Sequence, residues 1–188
     1  MEDVETSFQP KRREAAVAVV LRPYLDTAGQ ADAQILFVRR ASYPGDPWSG
    51  HIALPGGRRE SRDVTLEDTA RRETYEETGL DLTGAPCVAT LGAVAPRTII
   101  RPAIVVRPYV FRYEGEPTVT LSDEVVEAFW LSISQLHHPD AWRDTPLEIN
   151  GEIRIVRGFP YGEHLIWGLT ERTIAQLLER ADLDALIK

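Results

Sequence analysis

Between Gly56 and Leu80 the chain reads Gly56-Gly57-Arg58-Arg59-Glu60-Ser61-Arg62-Asp63, then Arg72-Glu73-Thr74-Tyr75-Glu76-Glu77-Thr78-Gly79-Leu80, and this run constrains the fold more than any other stretch. Two glycines make a turn that leads into a helix bearing three glutamates. On a helix, side chains three and four residues apart are neighbours, so Glu73 faces both Glu76 and Glu77. Three like charges at that spacing need a compensating cation. A hard divalent ion accepts carboxylate oxygens and tolerates water in its remaining positions. Thr65, followed three residues later by Asp68, forms a capping box that opens the helix, and Gly79 closes it in the left-handed conformation. The competing reading is an ordinary solvated acidic face, paired at intervals by Arg71 and Arg72. The glycine turn, the four-residue spacing of Arg72 to Glu76 and the Gly79 stop together favour a metal platform.

That run resembles the Nudix hydrolase signature, in which a glycine, a downstream acid, Arg-Glu, Glu-Glu and a final glycine recur at fixed spacing. Arg72, Glu73, Glu76, Glu77, Gly79 and Leu80 match its second half residue by residue. The first half departs from the commonest form. The interval from Gly57 to Arg72 is one residue longer, Asp63 stands for a glutamate, and Thr74 stands where a bulky aliphatic is usual. Glu60, Asp63 and the extra residue resemble the coenzyme A pyrophosphatase branch. Leu36-Phe37-Val38-Arg39-Arg40-Ala41, Leu54-Pro55-Gly56-Gly57 and the late Ile166-Trp167-Gly168-Leu169-Thr170 resemble it too. Gly45 and Asp46, however, occupy the place of that branch's second arginine, and the interval there is also one residue longer.

The resemblance implies a Nudix fold, a mixed β-sheet sandwiched between α-helices in the broad α/β (α+β) class. It also implies metal-dependent hydrolysis of the pyrophosphate bond in a nucleoside diphosphate derivative. Coenzyme A or its derivatives rank first as substrate, and ADP-ribose or another nucleoside diphosphate conjugate second. A non-catalytic nucleotide-binding module is disfavoured because all three glutamates are present. The implied ligands of Mg²⁺ or Mn²⁺ are Glu73, Glu76, Glu77 and the carbonyl of Gly57, with Arg72 orienting the glutamates. The general base is Glu76 or an acid from a distal loop; among Asp123, Glu124 and Glu127, Glu124 is chosen. For the phosphates, arginine suits bidentate contacts, and Arg39, Arg40, Arg58 and Arg97 are the candidates. Trp48 and His51 are candidates to shape the substrate pocket. Each of these side chains alone is as readily a surface or core residue.

Bulk properties narrow the classes further. The chain has 188 residues, 43% of them hydrophobic and 27% charged, as expected of one globular domain spanning 1–188, with 1–13 as a flexible or peripheral N-terminal segment. Its net charge of −8 argues against general nucleic-acid binding, though a local arginine cluster with a metal can still receive an anionic small molecule. No apolar run approaches the length of a spanning helix, so a membrane role is not expected. Cys87 is the only cysteine, which excludes an internal disulfide and suits the cytoplasm. The expected partner is a small nucleotide substrate, with a homodimer left open.

Hydrophobic patterning places strands at 14–21, 34–39, 51–54, 87–95, 103–113 and 127–131, with loops at 25–32, 42–50 and 96–102. Ser132 and Gln135 form a second capping box before a short helix. Asn150-Gly151 marks a hairpin within 147–156, and Ile174, Leu177, Leu178 and Ala181 mark a helix over 170–183.

Overall fold

The structure, a computed structural model, describes residues 13–46, 48–97, 103–149 and 151–187. Strand β1 (Arg13–Leu25) organises it. Its side chains alternate between two cores, as the period of two requires. Ala16, Ala18 and Val20 face one side, and Val19 and Leu21 the other. β2 (Ala31–Arg40) returns antiparallel to β1, but the two pair only from Leu21↔Ile35 to Leu25↔Ala31. Beyond that point they splay, and two short strands fill the wedge. β3 (Ile52–Ala53) pairs with β2, and β4 (Gly56–Arg58) pairs with β1 through Ala15↔Arg58 to Val17↔Gly56. β5 (Cys87–Thr90) pairs antiparallel with β6 (Ile104–Arg112), which runs parallel to β1. β7 (Val125–Ser132) pairs with the other edge of β2, completing a mixed seven-stranded sheet.

Helix α1 (Leu66–Thr78) covers the first face, where Ala70, Leu80 and Leu82 pack on Ala16, Ala18, Val20, Leu36 and Phe111. The buried side of α1 is unusually polar: Thr69, Ala70, Thr74, Glu77 and Thr78. The threonines are satisfied, Thr74 donating to the Ala70 carbonyl and Thr78 to that of Thr74 within the helix, and Thr69 to the Asp63 carboxylate. Thr74 thus fills the slot of a bulky aliphatic without leaving a polar atom unpaired.

On the second face α2 (Ile133–His137), α3 (Leu169–Leu178) and α4 (Leu183–Ile187) bring Leu136, Ile174, Leu177, Leu183 and Leu186 onto Val19, Leu21, Ile35 and Phe37. A small second sheet joins them, formed by β8 (Arg143–Ile149), β9 (Glu152–Tyr161) and β10 (His164–Trp167). Tyr161 clamps it to the main sheet by stacking on Phe129 at 3.7 Å. The sheet is therefore sandwiched between helices, as expected.

Both capping boxes form, Thr65 with Asp68 and Ser132 with Gln135, and Gly79 closes α1 at φ 69°. Three elements differ from expectation. The strand expected over 87–95 stops at Thr90; past Gly92, whose carbonyl accepts from Gln176, only a Val94–Val106 bridge remains. The helix expected over 170–183 divides, because Arg180 turns back onto Asp182 and the chain bends before α4. The strand expected over 51–54 shrinks to β3 as its ends turn into the flanking loops. The expected segment 1–13 (apart from Arg13, which opens β1), residues 98–102 of the expected 96–102 loop and Asn150 of the hairpin turn lie outside the described residues.

Candidate active site

The wedge between β1 and β2 is where β4 meets α1. Glu77 lies there with only 3% of its surface exposed, its carboxylate accepting the Gly56 N–H at 3.0 Å. Glu73 packs directly against Gly57: a Cβ at that position would stand 2.5 Å from its carboxyl carbon. Gly56 is as constrained, since a Cβ there would meet the Ala16 carbonyl at 2.3 Å. The two glycines thus let carboxylates and backbone approach more closely than any side chain allows. Two half-desolvated acids side by side resist ionisation. Burial pushes the Glu77 carboxyl up to about 7, against the Gly56 hydrogen bond and helped by the charge of Glu73. Glu73 is also raised, chiefly by burial, with Arg72 opposing.

Arg72 holds this arrangement. Its guanidinium donates to both oxygens of Asp63 at 2.8 Å, to Glu73 at 2.9 Å, to Glu76 at 2.8 Å and to the Arg58 carbonyl at 3.0 Å. Asp63 is buried and also accepts from Thr69 and from the Glu60 N–H. The Arg72 hydrogen bonds hold its carboxyl well below the usual carboxylate range. The extra residue in the first half of the box therefore belongs to a turn that delivers Asp63 to Arg72. The sequence pattern alone had not assigned Asp63 to the site.

Glu76 lies on the outer side of the same helix. Arg62 donates to one of its oxygens at 2.7 Å and Arg72 to the other. Among the described residues no three acids, histidines or cysteines stand together as a ready-made metal cage. Glu73 and Glu77 share the glycine cradle, while the third glutamate is turned toward guanidinium groups. The donor set still suits a hard cation: two carboxylates raised chiefly by burial and further by neighbouring acids, on a backbone stripped of Cβ atoms.

The loop before β7 closes the cleft from the other side. The N–H groups of Thr120 and Ser122 donate to the last carbonyls of α1, those of Thr78 and Glu77. Those contacts place Glu124 where its charge acts on both Glu73 and Glu77. The Ala41 N–H donates to the Glu124 carbonyl, and the Tyr43 hydroxyl to that of Asp123, so the 42–50 loop is tied to the same segment.

The profile of the NUDIX domain family matches residues 11–149. The chain belongs to the Nudix family. It is 30% identical to an uncharacterized Nudix hydrolase, NudL, of Photorhabdus laumondii over 141 residues, covering 72% of this chain and 71% of the relative. It is 31% identical to the chloroplastic Nudix hydrolase 22 of Arabidopsis thaliana over 172 residues, covering 89% of this chain and 54% of that one. An uncharacterized protein of Schizosaccharomyces pombe is 29% identical, with 84% of this chain and 51% of the relative covered. The chain thus spans about half the length of the Arabidopsis and fission-yeast relatives. Among solved structures, a MutT/nudix family protein from Enterococcus faecalis superposes with a TM-score of 0.63 at 16% identity, over 95% of this chain and 68% of that one. The NUDIX domain of Shewanella oneidensis NrtR, complexed with ADP ribose, gives 0.53 at 20% identity, over 77% and 87%. These two likenesses are of fold.

The remaining candidates of this Nudix domain are dispersed. Arg40 reaches toward Glu77 at 3.9 Å while Asp46 holds it at 3.0 Å, and its Nε is buried without a hydrogen-bond partner among the described residues. Asp46, which with Gly45 stands where the resembled branch has its second arginine, also accepts the Trp48 N–H, which closes the turn around Arg40. His51 packs on Trp167 with ring centroids 5.2 Å apart, and burial lowers its pKa. Arg58 is bound to the site by its backbone carbonyl, its side chain being exposed. Arg39 is taken up by Glu127 at 3.0 Å, and Glu127 also accepts from Tyr161. Arg97 sits among the charges of Glu171 and Arg172 on α3. No helix among the described residues is long and apolar enough to cross a membrane.

Proposed function

We propose that this chain is a metal-dependent hydrolase of the pyrophosphate bond in nucleoside diphosphate derivatives, with coenzyme A or a derivative as its substrate. The glycine cradle carries the reading: Glu73 and Glu77, both raised chiefly by burial, lie against Gly57 and Gly56. Glu73, Glu76, Glu77 and the Gly57 carbonyl would hold Mg²⁺ or Mn²⁺. When bound, such an ion screens the charge of the phosphates and acidifies a coordinated water. Arg72 keeps Glu73 and Glu76 in register through its anchor on Asp63. Glu124 faces the pair from the opposite loop and accepts the proton of the attacking water, with Glu76 as the other candidate base. Arg40, whose guanidinium stands 3.9 Å from Glu77, meets a phosphate oxygen, and Trp48, His51, Arg58 and Arg97 complete the set of substrate contacts.

Coenzyme A is supported by the segments that resemble that branch. The last of them, Ile166–Thr170, packs on the stretch just before Leu54–Gly57: Trp167 lies on His51, and Thr170 donates to the carbonyl of Ile52 at 3.2 Å. A cytoplasmic site of action, consistent with a single cysteine, belongs to the same reading. The test is a panel of pyrophosphate substrates with Mg²⁺ or Mn²⁺, with products resolved by mass. Release of 4′-phosphopantetheine with 3′,5′-ADP selects coenzyme A. AMP with ribose phosphate selects ADP-ribose and overturns the coenzyme A assignment.

A further inference from the structure

Glu76 is held by two arginines of very different character. Arg72 is only 12% exposed and is fixed at the same time by Asp63, Glu73 and the Arg58 carbonyl. Arg62 is 60% exposed, and its other hydrogen bond, at 2.9 Å, goes to the exposed Glu60. One guanidinium is therefore built in, while the other lies on the surface and exchanges easily, since exposed ion pairs are worth about 0.2–1 kcal/mol. Together they occupy both oxygens of the one box glutamate that does not lie in the glycine cradle.

We propose that Arg62 is the exchangeable counter-ion of Glu76, a positioning residue that holds this carboxylate until a divalent cation takes its place. The inference rests on the metal reading of the box given above. Arg62 and the cation compete for the same oxygen, so cation binding must release Arg62 while Arg72 stays. Glu76 is thereby kept from swinging into solvent, at the cost of weaker metal affinity. The sequence offered no hint of this, because Arg62 is separated from Glu76 by fourteen positions across a turn and most of a helix.

Mn²⁺ affinity tests it, read from the electron paramagnetic resonance signal of free Mn²⁺ titrated into the metal-free full chain at low ionic strength. Arg62→Ala is expected to bind Mn²⁺ about threefold tighter than the unaltered chain, with an unchanged melting temperature. Arg58→Ala removes the same charge beside Gly57 while leaving the Arg62–Glu76 bond, and is expected to change the affinity much less. Equal affinity for Arg62→Ala and the unaltered chain overturns the proposal, as does equal tightening in the two variants, which would reduce it to net charge. Failure of the unaltered chain to bind Mn²⁺ at all overturns the metal reading itself, and the exchange with it.

Discussion

Arg72 and Asp63, nine residues apart, meet through two hydrogen bonds of 2.8 Å, and this pair joins the turn after the glycines to the helix that bears the glutamates. Both side chains are largely shielded, Asp63 at 3% exposure and Arg72 at 12%. Removing Asp63 leaves two shielded Arg72 donors without their acceptor, while Glu73 and Glu76 still offset the charge. The cost therefore falls near or below the lower end of the roughly 3–5 kcal/mol of a broken buried pair. Asp63→Ala is accordingly expected to lower the unfolding free energy by about 3 kcal/mol. Urea denaturation measures this, and a loss below 1 kcal/mol would show that Arg72 does not depend on Asp63.

The adjacent glycines should respond differently to the same substitution. At Gly56 an added Cβ meets the backbone of β1, at the Ala16 carbonyl, which cannot yield. Gly56→Ala should destabilise the fold by about 2 kcal/mol or more. At Gly57 the obstacle is the mobile end of Glu73. Gly57→Ala should keep its melting temperature within a few degrees yet lose turnover roughly 10- to 100-fold, because a misplaced ligand is expensive in rate. Thermal melts paired with steady-state rates separate the two outcomes. Equal effects on both properties would contradict the assignment.

The stability of the metal-free protein should depend on pH through Glu77. Its carboxyl is raised from 4.5 to about 7, chiefly by burial. Stability from this group is therefore fully present below about pH 4.5 and is lost as pH rises through about 7. With each unit worth about 1.4 kcal/mol, the loss is roughly 3 kcal/mol. Asp63 acts with the opposite sign: its depressed carboxyl contributes above the ordinary carboxylate range and fails as pH falls through it. In EDTA, Glu77→Gln should be more stable than the unaltered chain at pH 8 and nearly equal to it at pH 4.5. Urea midpoints at the two values decide it, and parallel pH profiles would contradict the burial argument.

Local chemistry was legible in the sequence because it is written within a few residues. The Thr65 and Ser132 capping boxes, the Gly79 stop and the apolar strand at 14–21 each follow from short-range rules, and each is present. What stayed hidden depends on partners far along the chain. β4 is three residues, two of them glycine, and exists only because β1 supplies its edge. β10 is defined by pairing with β9, and the parallel pairing of β1 and β6 joins segments with no local pattern in common. In the site, the glutamate triplet was readable from helical spacing. The division of that triplet, two in the cradle and one held by Arg62 and Arg72, was not, because it depends on which charges the folded turn presents.

If the carboxylates of this box perform metal-dependent hydrolysis, turnover by Glu76→Gln on the best pyrophosphate substrate with Mg²⁺ or Mn²⁺ must register the loss of one. Glu76 is exposed, so exchanging its carboxylate for an amide leaves the packing of α1 in place, which a melting curve verifies. We expect turnover to fall by roughly 100-fold or more, as for loss of a metal ligand or general base. Near-unaltered hydrolysis by a correctly folded Glu76→Gln variant would remove Glu76 from the catalytic site.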